Sequence, residues 1–250
     1  MAEQISLNID NYTVHSYNVD FVRQLSIVSL FNFLQESAWR HASNNAFGFN
    51  DLIEQGCFWA LTRVKLIIKR YPVWGDDLRI ETWSKEPDAL IAYRDFEVFD
   101  GMDEAFIKAT SAWLVVDIKS RRPQRMATFK DRFPHLYTRY AIKEHPAKLP
   151  VLSGENIFSR NDAIYMSDID MNGHVNNANY IRWVIDTFPF SYIEAHELAE
   201  VEVDFMHESK AGEHYIVNIN KVNNLDYLCN IVRVEDRYEL ARVGLKFRVK

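Results

Sequence analysis

The chain has 250 residues, 48% hydrophobic, 26% charged and 14% aromatic, with a formal net charge of -6. That length suits one large domain or two ordinary ones, and the acidic balance excludes a uniformly basic nucleic-acid footprint. The two cysteines, Cys57 and Cys229, lie far apart, which excludes a disulfide framework and a Cys-x-x-Cys metal pair and suits free thiols in a reducing compartment.

The opening MAEQISLNID lacks the apolar run of a signal peptide. No stretch approaches the ~20 apolar residues that span a bilayer, so a cytoplasmic protein without a membrane span is expected. The first helix is predicted from Ser26 to Asn44, with Ile27, Leu30, Phe31 and Leu34 at helical spacing. Strand-like segments follow at Ala60–Lys69, Asp77–Lys85, Tyr93–Asp100 and Ala105–Asp117. Residues 145–156, HPAKLPVLSGEN, carry two prolines and a glycine and read as a linker. A second helix is predicted from Asn176 to Phe188, then strands at Ala199–His207, Tyr215–Val222, Leu228–Glu235 and Leu240–Val249.

The order of one helix and four strands thus occurs twice, which suggests two copies of one supersecondary unit and an α+β fold. The copies align at two places. Asp20-Phe-Val-Arg-Gln24-Leu-Ser26 stands opposite Asp170-Met-Asn172-Gly-His174-Val-Asn176, and Tyr71–Asp76 stands opposite Glu208–Glu213. His174 then faces Gln24, Asn172 faces Val22 and Glu208 faces Tyr71. The titratable groups sit in the C-terminal copy, as in a duplicated fold with one working site.

The densest polar cluster runs from Ser167 to Tyr180, where a strand ends and an amphipathic helix begins. Helix N-termini present unpaired N–H groups and partial positive charge, suited to an oxygen that gains negative charge. Asp170 and His174 could exchange a proton or position water, and Asn172 offers an uncharged donor and acceptor. Asp, Asn and Gly are equally ordinary turn and cap residues, and composition alone does not separate the two readings. Other signals are weaker. His207 and His214 flank Glu208 at no metal-ligand spacing, Ser209 lacks a Gly-x-Ser-x-Gly elbow, and no phosphate loop is present. Lys119-Ser-Arg121-Arg122-Pro-Gln-Arg125, followed by Lys130 and Arg132, is a basic run in an acidic chain.

Asp170-x-x-Gly173-His174-Val175-Asn176-Asn177-x-x-Tyr180 resembles the helix-opening motif of hot-dog thioesterases. The sequence is more closely similar to acyl-acyl-carrier-protein thioesterases of plants and bacteria, which carry Asp-x-Asn-x-His-Val-Asn-Asn, here Asp170 to Asn177. Leu34–Ala38, Tyr71–Asp76, Ile80–Trp83, Ala109–Trp113 and His196–Ala199 also match.

The resemblance implies a tandem hot-dog, about 1–148 and 149–250, with the long helices packed against a continuous antiparallel sheet. It implies hydrolysis of fatty acyl-carrier thioesters without a cofactor, by Asp170, Asn172, His174 and Glu208. Glu208 would be the base, Asp170 and Asn172 would orient His174 and water, and His174 with the helix N-terminus would stabilise the oxyanion. Plant members often have cysteine where this chain has Ser209, so a cysteine nucleophile is not expected here. The N-terminal half would cup the acyl chain, with Phe31, Leu34, Trp39, Trp59 and Leu61 as candidate linings. Arg121, Arg122 and Arg125 would dock the acidic carrier that bears the acyl-phosphopantetheine, and a homodimer is compatible with this reading. An acyl-CoA thioesterase and a non-catalytic acyl-binding module are the alternatives.

Overall fold

The computed structural model describes residues 5–101, 104–132 and 138–250, with the backbone alone for 130–132. The chain divides into two compact units, Met1–Ala147 and Lys148–Lys250. Unit 1 contains β1 (Leu7–Thr13), α1 (Ile27–Asn44), α2 (Phe49–Glu54), β2 (Cys57–Ile68), β3 (Asp77–Ser84), β4 (Ile91–Phe99), β5 (Ile107–Asp117) and a 3-10 segment at Met126–Arg132. Its strands run antiparallel in the order β1-β3-β4-β5-β2. Unit 2 repeats the plan with β6 (Asn156–Ala163), a 3-10 turn at Met166–Asp168, α3 (Asn177–Ile185), α4 (Phe190–Ala195), β7 (His196–Phe205), β8 (His214–Lys221), β9 (Asp226–Arg233) and β10 (Glu239–Val249). Its order is β6-β8-β9-β10-β7, again antiparallel. Each unit is a helix held by its own sheet, α1 against β1 and β3 and α3 against β8, β9 and β10. The architecture is an α+β tandem hot-dog.

Each unit therefore has five strands where the sequence pattern suggested four. The added strands, β1 and β6, precede the helices. Each pairs with a single partner within its unit, β3 or β8. Edge strands tolerate polar residues that blunt further pairing, and Asn8, Asp10 and Asn11, or Asn156, Arg160 and Asp162, hide the apolar alternation. The second helix also ends earlier than its pattern suggested, at Ile185. Phe188 instead packs at ring-centroid distances of 5.1–5.4 Å from Tyr192, Tyr227 and Phe247.

Local capping explains where the long helices start. The Ser26 hydroxyl accepts from the Ser29 N–H at 3.2 Å, and the Asn176 amide oxygen accepts from the Ala178 N–H at 2.9 Å. Each satisfies one orphan donor of a first turn. Ile27, Leu30, Phe31, Leu34, Ala38 and His41 then form the buried face of α1.

His41 is 1% exposed. Its Nε2 lies 2.6 Å from the Ile5 carbonyl oxygen and its Nδ1 lies 2.7 Å from Arg94 Nη1. The ring therefore donates through Nε2 and accepts from the guanidinium through Nδ1. Burial, reinforced by the Arg94 charge, lowers its pKa from the ordinary 6.5 to about 3. The unfolded chain thus binds a proton that the folded chain refuses between pH 6.5 and about 3. Stability from this site is complete above pH 6.5 and declines as pH falls towards 3, by on the order of 5 kcal/mol at full extent. Urea titrations at stepped pH should show wild type losing stability faster than His41→Gln over that window. Parallel slopes for the two proteins would contradict the assignment.

Candidate active site

The two helix-opening loops are built on one backbone frame. The Asp20 N–H donates to the Gln24 carbonyl and the Asp170 N–H to the His174 carbonyl, both at 2.8 Å. The Leu25 N–H donates to the Pro72 carbonyl at 2.8 Å, and the Val175 N–H to the Ser209 carbonyl at 3.2 Å. The Gly75 N–H reaches the Val14 carbonyl and the Gly212 N–H the Ile164 carbonyl, both at 2.9 Å. These bonds pair Gln24 with His174, and Pro72 with Ser209. The frame needs a left-handed residue between Asp and the His/Gln position, supplied by Arg23 (φ 65°) or Gly173 (φ 77°). Glycine takes that conformation without Cβ strain.

In unit 2 this frame brings His174 and Glu208 together. His174 Nε2 lies 3.4 Å from Glu208 Oε2, with side chains 29% and 41% exposed. A carboxylate and an imidazole, both open to a reactant, stand beside the N-terminus of α3. Asp170 and Asn172 bond to each other. Asp170 Oδ1 accepts from the Asn172 N–H at 2.8 Å, and Asp170 Oδ2 from Asn172 Nδ2 at 3.3 Å. Asp170 also meets His174 through the main chain, its N–H donating to the His174 carbonyl, so among the described contacts it shapes the turn that presents the imidazole.

Ser209 is fully buried. Its Oγ lies 2.6 Å from the Tyr180 hydroxyl, whose pKa burial raises to about 12. The serine hydroxyl is thus occupied in packing the strand end against α3 and does not face a reactant. Cys57 and Cys229 are buried, and burial raises both thiol pKa values, which disfavours a thiolate nucleophile. His207 Nδ1 meets the Glu239 carbonyl oxygen at 2.8 Å and His214 Nδ1 meets Glu235 Oε1 at 3.0 Å. Ser209→Ala is expected to keep turnover within a few-fold of wild type, measured as acid released from a thioester. A loss as deep as that of a missing general base would restore a nucleophilic role.

Two supports escaped the sequence reading. Asp168 is 1% exposed and pairs with Arg182 of α3. Its Oδ2 also accepts from the Tyr165 N–H at 2.8 Å, and its carbonyl accepts from the Asn176 N–H at 2.9 Å. Arg233 donates to the Glu208 carbonyl at 3.1 Å and to Glu213 Oε2 at 3.2 Å, holding the strand end that carries Glu208. Asp168 lay within the polar cluster, but nothing in its spacing singled out Arg182 or Arg233.

The candidate linings separate. Phe31 and Leu34 are buried on α1. Trp59 and Leu61 are half-buried on β2, and Trp59 packs at 4.9 Å from the Phe47 ring and 6.4 Å from Trp113. Trp39 is 47% exposed, on the solvent side of α1 and away from the buried face of that helix. Arg121, Arg122 and Arg125 are all exposed around the turn after β5, with the Arg121 guanidinium 5.4 Å from the Phe58 ring centroid. The side chains of Lys130 and Arg132 lie outside the described residues.

Residues 7–129 match the family model of the acyl-ACP thioesterase N-terminal domain, and residues 155–226 match that of the C-terminal domain. The chain belongs to the acyl-ACP thioesterase family. A chloroplastic acyl-[acyl-carrier-protein] hydrolase of Cuphea viscosissima is 30% identical over 262 residues, covering 96% of this chain and 61% of that protein. A chloroplastic oleoyl-acyl carrier protein thioesterase of Arabidopsis thaliana is 30% identical over 220 residues, covering 82% and 60%. The chain spans about half to three fifths of the length of the curated relatives it matches. The fold agrees with a crystal structure of an acyl-ACP thioesterase from Bacteroides thetaiotaomicron. That match has TM-score 0.88 and 24% identity, and covers 99% of this chain and all of that one. Among the described residues of this family member, no helix is long and apolar enough to cross a membrane.

Proposed function

We propose that the chain hydrolyses fatty acyl-acyl-carrier-protein thioesters, releasing free fatty acid and carrier protein and so ending chain elongation. The observation that carries this reading is the His174–Glu208 pair at 3.4 Å beside the N-terminus of α3, in a chain of this family. Glu208 takes a proton from water as the water oxygen attacks the thioester carbonyl carbon. The carbonyl oxygen gains negative charge, which His174 and the N-terminal dipole of α3 offset. The tetrahedral intermediate then expels the phosphopantetheine sulfur, which takes up the proton held by Glu208, leaving one acid and one thiol. Asp170 and Asn172 hold the turn that presents His174. Unit 1, about 1–148, keeps the frame with Gln24 and Tyr71 in place of the working groups and holds the acyl chain. Phe31, Leu34, Trp59 and Leu61 are its candidate linings. Unit 2, about 149–250, carries the chemistry. A cytoplasmic setting suits two buried, unbridged cysteines.

The carrier is the partner we propose for Arg121, Arg122 and Arg125. Changing all three to glutamate should raise KM for an acyl-carrier substrate and leave a small soluble thioester nearly untouched. The difference should shrink as salt rises, since exposed charges are screened beyond ~8–10 Å. Equal loss on both substrates would contradict docking. The function itself is tested by offering one acyl chain on carrier protein and on coenzyme A. Carrier preference is expected. Preference for coenzyme A would favour an acyl-CoA thioesterase, and acyl binding without product would favour a non-catalytic module.

A further inference from the structure

At one strand pair the interior of unit 1 is charged where that of unit 2 is apolar. Arg94 on β4 lies opposite Ser84 of β3 and Ser111 of β5. The shared frame aligns β3 with β8, so the equivalent of Arg94 is Tyr227, opposite Lys221. Tyr227 is 5% exposed within the aromatic core of unit 2, and the equivalent of Thr82 is the buried Ile219. The fold therefore does not require a guanidinium at this position.

Arg94 Nη1 contacts His41 Nδ1 at 2.7 Å and Thr82 Oγ1 at 3.1 Å. Both partners are neutral, and among the described residues no carboxylate pairs with Arg94. His41, Thr82 and Ser111 are buried, yet Arg94 stays partly accessible. On the same face, Ser111 Oγ accepts from Trp113 Nε1 at 2.8 Å, and Trp113 packs on Trp59. Both tryptophans are also partly accessible. An apolar, aromatic surface thus leads to one guanidinium whose Nε and Nη2 donate to no described residue. Those accessible N–H groups, at the end of an apolar surface, can donate charge-assisted hydrogen bonds to an incoming carboxylate or hydroxyl oxygen.

We propose that Arg94, backed by His41 and Thr82, is a specificity site for acyl chains that carry an oxygen group at their far end, a carboxylate above all. This rests on the proposed acyl-binding role of unit 1. Its test makes no use of turnover. Calorimetry on the intact protein would compare a long-chain α,ω-dicarboxylic acid, its monomethyl ester, the ω-hydroxy acid and the plain fatty acid of equal length. The diacid should bind on the order of tenfold tighter than the plain acid, with the hydroxy acid between them and the ester losing the advantage. Arg94→Met should abolish the diacid preference and leave plain-acid affinity unchanged or improved. If Arg94→Met does not fold, the wild-type ester comparison decides alone. Equal affinity of all four ligands would overturn the site while leaving the acyl-binding role intact. No binding of any of them would overturn the site together with the chain-binding role it rests on.

Discussion

Glu208→Gln is expected to fold as wild type and to lose on the order of 10²–10⁴ in kcat, the usual worth of a general base. The Glu208 side chain is 41% exposed and glutamine keeps its size and shape, so circular dichroism and melting temperature should not move. His174→Ala should fall with it. The double variant should lose less than the product of the single losses, because groups that act as a unit are not additive. Asp170→Asn should be milder than either, since it keeps an acceptor for the Asn172 N–H, whereas Asp170→Ala opens the turn. Steady-state release of acid from an acyl-carrier substrate checks the series. An active Glu208→Gln would remove the proposed base, and fully multiplicative losses would show that the two groups work separately.

The largest expected loss of stability lies in unit 1. Lys85 and Asp95 are 1% and 0% exposed, with Nζ 2.9 Å from Oδ1. Lys85 also donates to Thr110 Oγ1 at 2.9 Å, and Asp95 Oδ2 accepts from the Ala141 N–H at 2.8 Å. Burial raises the Asp95 pKa, and Lys85, Thr110 and the Ala141 N–H pull it back. Removing one partner strands the other charge in the interior. Lys85→Met should therefore cost about 3–5 kcal/mol, read as a lowered urea midpoint. At the matching positions unit 2 has Val222, which is 61% exposed, and the buried Leu228, so the repeated frame does without the ion pair. Lys85→Val combined with Asp95→Leu should thus be less harmful than Lys85→Met alone, although it still orphans the Ala141 N–H. A double variant worse than the single one would contradict this account of the pair.

How much of this was legible beforehand follows from what each signal depends on. The long helices were readable because apolar residues recur along one face and Ser26 and Asn176 cap their starts. The duplication was readable because the loop frame is local, a few residues of turn chemistry repeated twice. The edge strands β1 and β6 were not, since a strand with one neighbour and one face in water carries little apolar alternation. The loop residues were legible as a cluster, but their division of labour was not. Asp170 turns to Asn172, and His174 to Glu208, through backbone geometry that spacing does not encode. Arg94, Lys85 and Asp95 stayed hidden for a related reason. Charged residues in a strand read as solvent-facing until the packing shows them inside. Trp39 shows the converse, an aromatic at helical spacing that the fold leaves outside.

The central claim is that hydrolysis belongs to unit 2 alone, although both units keep the same loop frame. The most direct measurement is the number of free fatty acid molecules released per protein molecule from one acyl-carrier substrate, with His174→Ala and Gln24→Ala run beside wild type. The account predicts many turnovers for wild type, near-equal turnover for Gln24→Ala and a deep loss for His174→Ala. Absence of release by wild type, or equal damage from the two substitutions, would contradict it.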